Sequence, residues 1–459
     1  MGKQSVEELT SRVHGRVHGS VITPGDAGYD EARRVYNAMI DRKPMAVVRC
    51  VNAGDVLAAV GFARENGIDL AVRGGGHSVP GYGTWDDAVV ADLSAMRGVR
   101  VDPVRRTARV EGGATLADLD AATGAFGLGV TGGVVSSTGV GGLTLGGGFG
   151  HLARHLGLTC DNLLSADVVT ADGRFLMATE HEHPDLFWAL RGGTGNFGVV
   201  TSFEFRLSPV SEVLGGLMFF ELEHAESVLR HYREYIAVAP EQLGAFPAFH
   251  LAPPLPFIPE ERHGDPLIAV VVCWSGPMAE GERAVRPFRE AAPVAFESVG
   301  PLPYPVLQTM FDQLLPPGLQ HYWKSAFAAR LTDEAIAAHI VHGPKVPSVS
   351  ACHIYPINGA CHRIAPEETA FSYRDATFAT VIAGMWPDPA ENVANTAWVK
   401  DYYQAIAPHS SAGGYVNFVA DDDQERVTDD YRDNYTRLTE IKRAYDPDNF
   451  FHVNHNIRP

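Results

Sequence analysis

Along the first 210 residues the apolar positions recur with two periods, one suited to helices and one to strands. Residues 55–66 (DVLAAVGFAREN) carry them at helical spacing and run into Gly67, a residue suited to the left-handed turn that ends a helix. Residues 68–72 and 88–91 are short apolar runs of strand length. Residues 99–102 and 107–110 flank Asp102-Pro103, which predicts a turn between two strands. Residues 116–123 return to helical spacing. Residues 166–171 and 174–178 stand on either side of Asp172-Gly173, a hairpin signal. A helix over 184–190 precedes residues 199–207, which alternate as a strand with one buried face. Beyond residue 209 the pattern mixes helices such as 224–238 with strands such as 267–274 and 350–355. An acidic run at 420–423 reads as solvated surface, and 426–445 reads as one amphipathic helix.

Composition divides the chain at the same place. Of 47 glycines, 26 fall between Arg73 and Gly198, whereas 22 of 30 prolines fall between positions 211 and 410. A chain of 459 residues exceeds one average domain, so the two regimes predict two domains with a boundary near Pro209. The longest apolar run spans eight residues, far below the roughly 20 of a membrane helix. The N-terminal MGKQSVEELTSRVHGRV has no apolar segment of the kind a secretory signal needs. A net charge of −18 without a Lys/Arg cluster argues against nucleic acid and anionic membranes as partners. Five widely spaced cysteines without a CxxC pair argue against a disulfide framework and against zinc, and point to a reducing cytoplasm.

Two glycine-rich segments carry chemistry. In Val72-Arg73-Gly74-Gly75-Gly76-His77-Ser78 a strand enters three glycines, whose backbone N–H groups can turn toward an anion such as a dinucleotide diphosphate. The same run also suits a tight turn with an incidental histidine. Residues 131–150 (TGGVVSSTGVGGLTLGGGFG) hold nine glycines interleaved with Val, Leu and Phe, a pattern for backbone pressed against a large flat ligand. A third run, residues 193–198, satisfies G-x-G-x-x-G with a helix before it and a strand after it. That is the reverse of a nicotinamide-dinucleotide fingerprint, so it reads as close backbone approach to a ligand or strand. No phosphate loop or nucleophile elbow is present, and His181-Glu182-His183 and the pair His14 and His18 read as surface.

These motifs, together with VVTADGR, DLFWALRGGTGNFGVVTSFEFRL and the ending from Tyr445-Asp446-Pro447 to Asn454-His455-Asn456-Ile457, resemble the vanillyl-alcohol-oxidase superfamily. More narrowly, the chain resembles the berberine-bridge-enzyme-like oxidases. The resemblance implies an α+β fold: a two-subdomain, PCMH-type FAD-binding domain (1–209), an inserted substrate domain of antiparallel sheet backed by helices (210–411), and a returning segment (412–459). It implies FAD against Val72, Arg73, Gly74, Gly75, Gly76 and Ser78, then Gly133, Val134, Val135, Thr138, Gly139, Gly141, Gly142, Leu143, Leu145, Gly146 and Gly148, with Val200, Asn454 and Asn456. It also implies an 8α-histidyl bond from His77. Many members add a cysteinyl bond at the position that here is Val135, so a single covalent link is expected.

The implied reaction is hydride transfer from a C–OH or C–N centre to flavin N5, with oxygen as acceptor and loss of a heteroatom proton to a base. The resemblance offers Tyr415 in GGYVNF as base or as a hydrogen-bonding contact to the flavin; as base, its loss should cut flavin reduction by orders of magnitude. Alternation along residues 350–355 sets His353 and Tyr355 on one side and Cys352 and Ile354 on the other. His353 and Tyr355 are expected in the pocket, or else satisfied within the sheet. Acidic residues found on this strand in an amine-oxidising member are missing, which favours a neutral or phenolic substrate. A small molecule, oxygen and no metal complete the expectation, for a monomer or homodimer. A dehydrogenase using another acceptor and a flavin-binding protein that sequesters a drug are the alternatives.

Overall fold

The computed structural model describes residues 17–420, 422 and 426–459. The readings of the N-terminal segment and of His14, and part of the acidic run at 420–423, lie outside the described residues.

The first sheet contains β1 (Ser20–Ile22), β2 (Ala46–Arg49), β3 (Leu70–Arg73) and β4 (Val89–Asp92) in the order β1-β2-β4-β3. The last three are parallel, and the helix Ala53–Asn66 makes the crossover from β2 to β3. Asn52 caps that helix by accepting the Asp55 N–H at 3.0 Å, and Gly67 ends it with φ of 63°. Strand β3 stops at Arg73, so the glycine run 74–76 emerges at the carboxyl edge of the parallel strands, where open α/β sheets bind ligands.

The second sheet is antiparallel. It contains β5 (Val99–Asp102), β6 (Thr107–Glu111), β8 (Leu163–Val169), β9 (Phe175–Thr179) and β10 (Val199–Arg206), ordered β5-β6-β10-β8-β9. The predicted turn after Asp102 and the predicted hairpin at Asp172-Gly173 are both present. A two-residue pair, β7 (Leu128–Gly129) with β11 (Ser208–Pro209), precedes the third sheet.

That third sheet has seven antiparallel strands: β12 (Glu212–Phe220), β13 (Leu243–Leu251), β14 (Pro266–Trp274), β15 (Phe296–Pro303), β16 (Gln320–Ala328), β17 (Ala351–Pro356) and β18 (Phe378–Trp386). Their order is β15-β12-β14-β13-β17-β18-β16. One face packs on helices: Cys352 and Ile354 join Leu229, Tyr232, Val285, Ile336 and Val399 in one core. The opposite face carries Phe219, Phe246, Tyr355, Val381 and Ala383, and it packs on Phe149 and Leu158 from the glycine-rich half. The pleat therefore sends alternate residues of these strands to the helices and to the glycine-rich half.

The single helix expected over 426–445 is two helices, Val427–Tyr431 and Asn434–Tyr445. Arg432 breaks them with φ of 50°. Tertiary contacts override the periodicity there. The Arg432 guanidinium is held 2.6 Å from Asp375, and the Asn434 amide donates to the carbonyls of Pro366 and Thr369. The second helix packs Leu438 and Ile441 against Phe187 and Trp188. Its buried Lys442 ammonium donates to Asp446 (2.6 Å) and to the carbonyls of Asn196 and Phe451 (2.8 Å each). Breaking such a buried pair costs about 3–5 kcal/mol. This knot fixes the C-terminal segment against the turn at 194–196.

Candidate active site

A cavity of about 310 Å³ lies where the three parts of the chain meet. Its wall takes Val72, Arg73, Gly74, Gly75, Gly76, His77 and Ser78 from the loop after β3, and Gly133, Val134, Val135, Thr138, Gly139, Gly141, Gly142, Leu143 and Leu145 from the second glycine-rich segment. Val200 and Asn454 also line it, as do Thr194, Gly195 and Gly198 of the G-x-G-x-x-G run. The seven-stranded sheet adds His353, Tyr355, Trp323, Val381 and Met385. The two glycine-rich loops meet backbone to backbone: a Cβ on Gly75 would stand 2.3 Å from the Gly139 nitrogen, and one on Gly139 would stand 2.4 Å from the Gly75 nitrogen. Only glycine at both positions permits that approach.

Several expected residues lie off the cavity wall or make other contacts. Gly146 and Gly148 are not on the cavity wall. A Cβ at Gly146 would meet the Asn417 side chain at 2.3 Å, and one at Gly148 would meet Thr159 at 2.3 Å, so packing demands glycine there. Asn456 is also off the wall. Arg73 lines it, but its guanidinium is bound to Asp92 (2.7 and 3.2 Å) and to the Arg34 carbonyl, so its charge braces the loop. Burial raises the Asp92 carboxyl, but the Arg73 bonds outweigh it and hold the group below its ordinary value.

Tyr415 is the largest departure. It is 1 % exposed and off the cavity wall, and its hydroxyl accepts hydrogen bonds from the Gly148 N–H (2.7 Å) and the Asn417 amide (2.9 Å). Burial pushes its phenol above the ordinary value, the wrong direction for a base at neutral pH. Its place is to brace the turn after Gly146. We expect Tyr415→Phe to lower unfolding stability by about 1–3 kcal/mol in denaturant titrations, because two buried donors lose their acceptor. Flavin reduction should stay within several-fold of wild type; a hundredfold loss would reinstate the base role.

His353 and Tyr355 do reach the cavity together. Nδ1 of His353 lies 2.8 Å from the Tyr355 hydroxyl. Burial lowers His353 to about 3, helped by the charges of His250 and His151, and burial pushes the Tyr355 phenol up. Both groups are therefore neutral at ordinary pH. Phe246 packs against both, at 4.4 Å from Tyr355 and 5.4 Å from His353, and Phe149 lies 5.2 Å from Tyr355.

Other residues of the site carried no separate signal in the sequence. Tyr36 stacks on His77 at 3.9 Å with rings 16° apart, and the Ser137 hydroxyl lies 2.9 Å from His77 Nε2. His455, inside the quoted C-terminal segment, lines the cavity and pairs through Nε2 with Asp430 at 2.7 Å. Its Nδ1 is buried with no protein partner.

These features fit FAD. The cavity is bordered by two loops of bare backbone. Apart from the adjoining backbone, nothing lies within 4 Å of where a Cβ on Gly142 or Gly195 would stand, so side chains there would take up cavity space. The orphaned His455 nitrogen offers a polar contact to a ligand.

Burial also sets an acid limit. His151 is lowered to about 4, and His339 and His353 to about 3, each chiefly by burial. In the unfolded chain these groups bind protons below their ordinary pKa of about 6.5, while the folded chain keeps them neutral. Stability should therefore fall as pH drops from about 6.5 toward 4, by up to ~1.4 kcal/mol per pH unit for each histidine. Melting temperatures measured from pH 7.5 to 4.5 check this; a midpoint that holds steady or rises on acidification would contradict it.

Comparison with known proteins agrees with this geometry. A family model described as an FAD binding domain matches residues 44–179, and one described as berberine and berberine like matches 414–458. An uncharacterized FAD-linked oxidoreductase of Bacillus subtilis is 30 % identical over 457 residues, covering 97 % of this chain and 98 % of its own. The (R)-6-hydroxynicotine oxidase of Paenarthrobacter nicotinovorans is 30 % identical over 454 residues, covering 96 % and 97 %. Among solved structures, 6-hydroxy-D-nicotine oxidase from Arthrobacter nicotinovorans superposes with a TM-score of 0.86 at 26 % identity, covering 96 % of this chain and 98 % of that one. The α+β architecture is thus that of the vanillyl-alcohol-oxidase type, and the chain belongs to the berberine-bridge-enzyme-like family of FAD-linked oxidoreductases.

Proposed function

We propose that the protein is an oxidase that removes a hydride from a carbinol or amine carbon of an uncharged, largely aromatic small molecule, with FAD joined through His77 and dioxygen as the final acceptor. The observation that carries this reading is the His353–Tyr355 pair, hydrogen-bonded at 2.8 Å on the sheet side of the cavity, where the other lining side chains, Trp323, Val381, Ala383 and Met385, are apolar or aromatic. Bound FAD supplies the two-electron acceptor at N5. The single-link expectation keeps its basis in Val135, which lines the cavity and has no thiol.

The pair's chemistry decides the order of events. A base with a pKa of about 3 cannot strip a proton from a free alcohol. As hydride leaves the carbon, however, the oxygen becomes carbonyl-like and its proton strongly acidic. The Tyr355 oxygen can then accept that proton while passing its own to His353 Nδ1. Proton loss therefore accompanies or follows hydride loss. Phe149, Phe311, Trp323 and Phe418 add apolar surface to the same cavity wall. Among the described residues the wall holds no carboxylate and no lysine, and its one guanidinium is bound to Asp92. A cationic amine would find no counter-charge there.

The test is a substrate panel mixed anaerobically with the holoprotein, followed by flavin bleaching. Neutral aryl carbinols should bleach it and yield peroxide on admission of air. Binding without bleaching would indicate a sequestering protein, and bleaching without rapid reoxidation a dehydrogenase.

A further inference from the structure

The imidazole of His77 is held on two sides. The Tyr36 ring lies flat against it at 3.9 Å. Tyr36 is itself fixed, because its N–H donates to the Gly76 carbonyl at 3.0 Å and its hydroxyl to the Leu315 carbonyl at 2.9 Å. The Ser137 hydroxyl meets Nε2 at 2.9 Å. Ser137 sits on a built turn. The Thr138 N–H bonds the Val135 carbonyl at 3.1 Å, and the Ser136 N–H bonds Asp312 at 2.9 Å. Among the described residues, no protein hydrogen bond is made by Nδ1.

We propose that Ser137 is a positioning residue for cofactor attachment: it keeps the proton on Nε2 of His77, so that Nδ1 is the atom that bonds the flavin 8α carbon. The inference rests on His77 being the attachment residue.

The bond forms from the Nδ1 lone pair to the 8α carbon. One proton leaves the 8-methyl group and one leaves Nε2, and the two displaced electrons pass to dioxygen, which departs as hydrogen peroxide. Positive charge develops on the imidazole as its lone pair is used. A Ser137 oxygen accepting the Nε2–H bond stabilises that charge. Ser137 is exposed, so the Nε2 proton has a route to water. Burial lowers His77 to about 4, which keeps its lone pair available at neutral pH. A hydrogen bond to a developing charge of this kind is worth about tenfold to a hundredfold in rate.

Two measurements on the purified holoprotein test this. The flavin peptide is released by protease, and carbon–proton correlation NMR is recorded from the 8α methylene. Coupling to the imidazole Cγ, next to Nδ1, is expected; coupling to Cδ2, next to Nε2, overturns the assignment. In Ser137→Ala, attachment followed by acid-resistant flavin fluorescence on gels should be about tenfold to a hundredfold slower, with total flavin content retained. Ser137→Thr, which keeps the hydroxyl, should restore it. An alanine variant that attaches flavin at the wild-type rate removes Ser137 from the reaction. Wild-type protein that loses all flavin to acid removes the His77 link itself, an outcome distinct from the other two.

Discussion

Acid-precipitated His77→Ala protein is expected to leave all of its flavin in the supernatant, whereas the wild-type pellet stays yellow. His77 lies on the cavity wall between Gly76 and Ser78, and Val135 offers no second attachment. The variant should still bind FAD, because the cradle of Gly74, Gly75, Gly139 and Gly142 is backbone and does not depend on the imidazole. Dilution or dialysis would then strip it progressively. An electron-withdrawing imidazole nitrogen on the 8α carbon would make the flavin a stronger electron acceptor, so on the proposed linkage the rate of flavin reduction should also fall. A drop of about tenfold to a hundredfold corresponds to ~1.4–2.7 kcal/mol of barrier. Flavin that resists acid in His77→Ala would show that another residue makes the bond.

Tyr355→Phe is expected to slow flavin reduction by about a hundredfold to ten-thousandfold, the range for removing a positioned proton acceptor. His353→Ala should act through the same relay and produce a comparable loss. The double variant should be little worse than either single one, because the two side chains form one hydrogen-bonded unit. Stopped-flow reduction under anaerobic conditions reads all three directly. The wild-type reduction rate should be flat between about pH 6 and 9. His353 takes up its proton only near 3, and the Tyr355 phenol is pushed above its ordinary value. A rate that rises tenfold per pH unit across that range would require a base that ionises first, and would exclude the relay.

The different surroundings of Tyr415 and Tyr355 show what sequence could and could not resolve. Tyr415 lies in the C-terminal segment that a family model matches, and Tyr355 lies in the centre, which neither family model covers. Whether a phenol points at substrate or braces a turn depends on which carbonyls and N–H groups surround it. For Tyr415 those come from Gly148, 267 residues away. Alternation along 350–355 did sort His353 and Tyr355 from Cys352 and Ile354, because a pleated strand has a strict two-residue period. It could not show that two neighbouring strands, through Phe246 and Val381, would enclose the pair on the cavity side. Helix breaks follow the same logic: periodicity ran through Arg432, while the Asp375 contact and the Asn434 amide stopped it.

By itself the sequence determined the cofactor half of this protein. Its elements follow from local rules: Gly67 ends a helix, Asp172-Gly173 turns a hairpin, and bare backbone at 74–76 and 139 admits close approach. Such signals lie within a few residues of what they specify, so a linear reading recovers them. The chemistry of the substrate face was decided only in three dimensions. The His353 ring meets the Tyr355 hydroxyl, Phe246 of a neighbouring strand packs on both, and Phe149 reaches Tyr355 from the glycine-rich half. Burial sets the protonation of His353 and Tyr355, and burial is a property of the packed sheets.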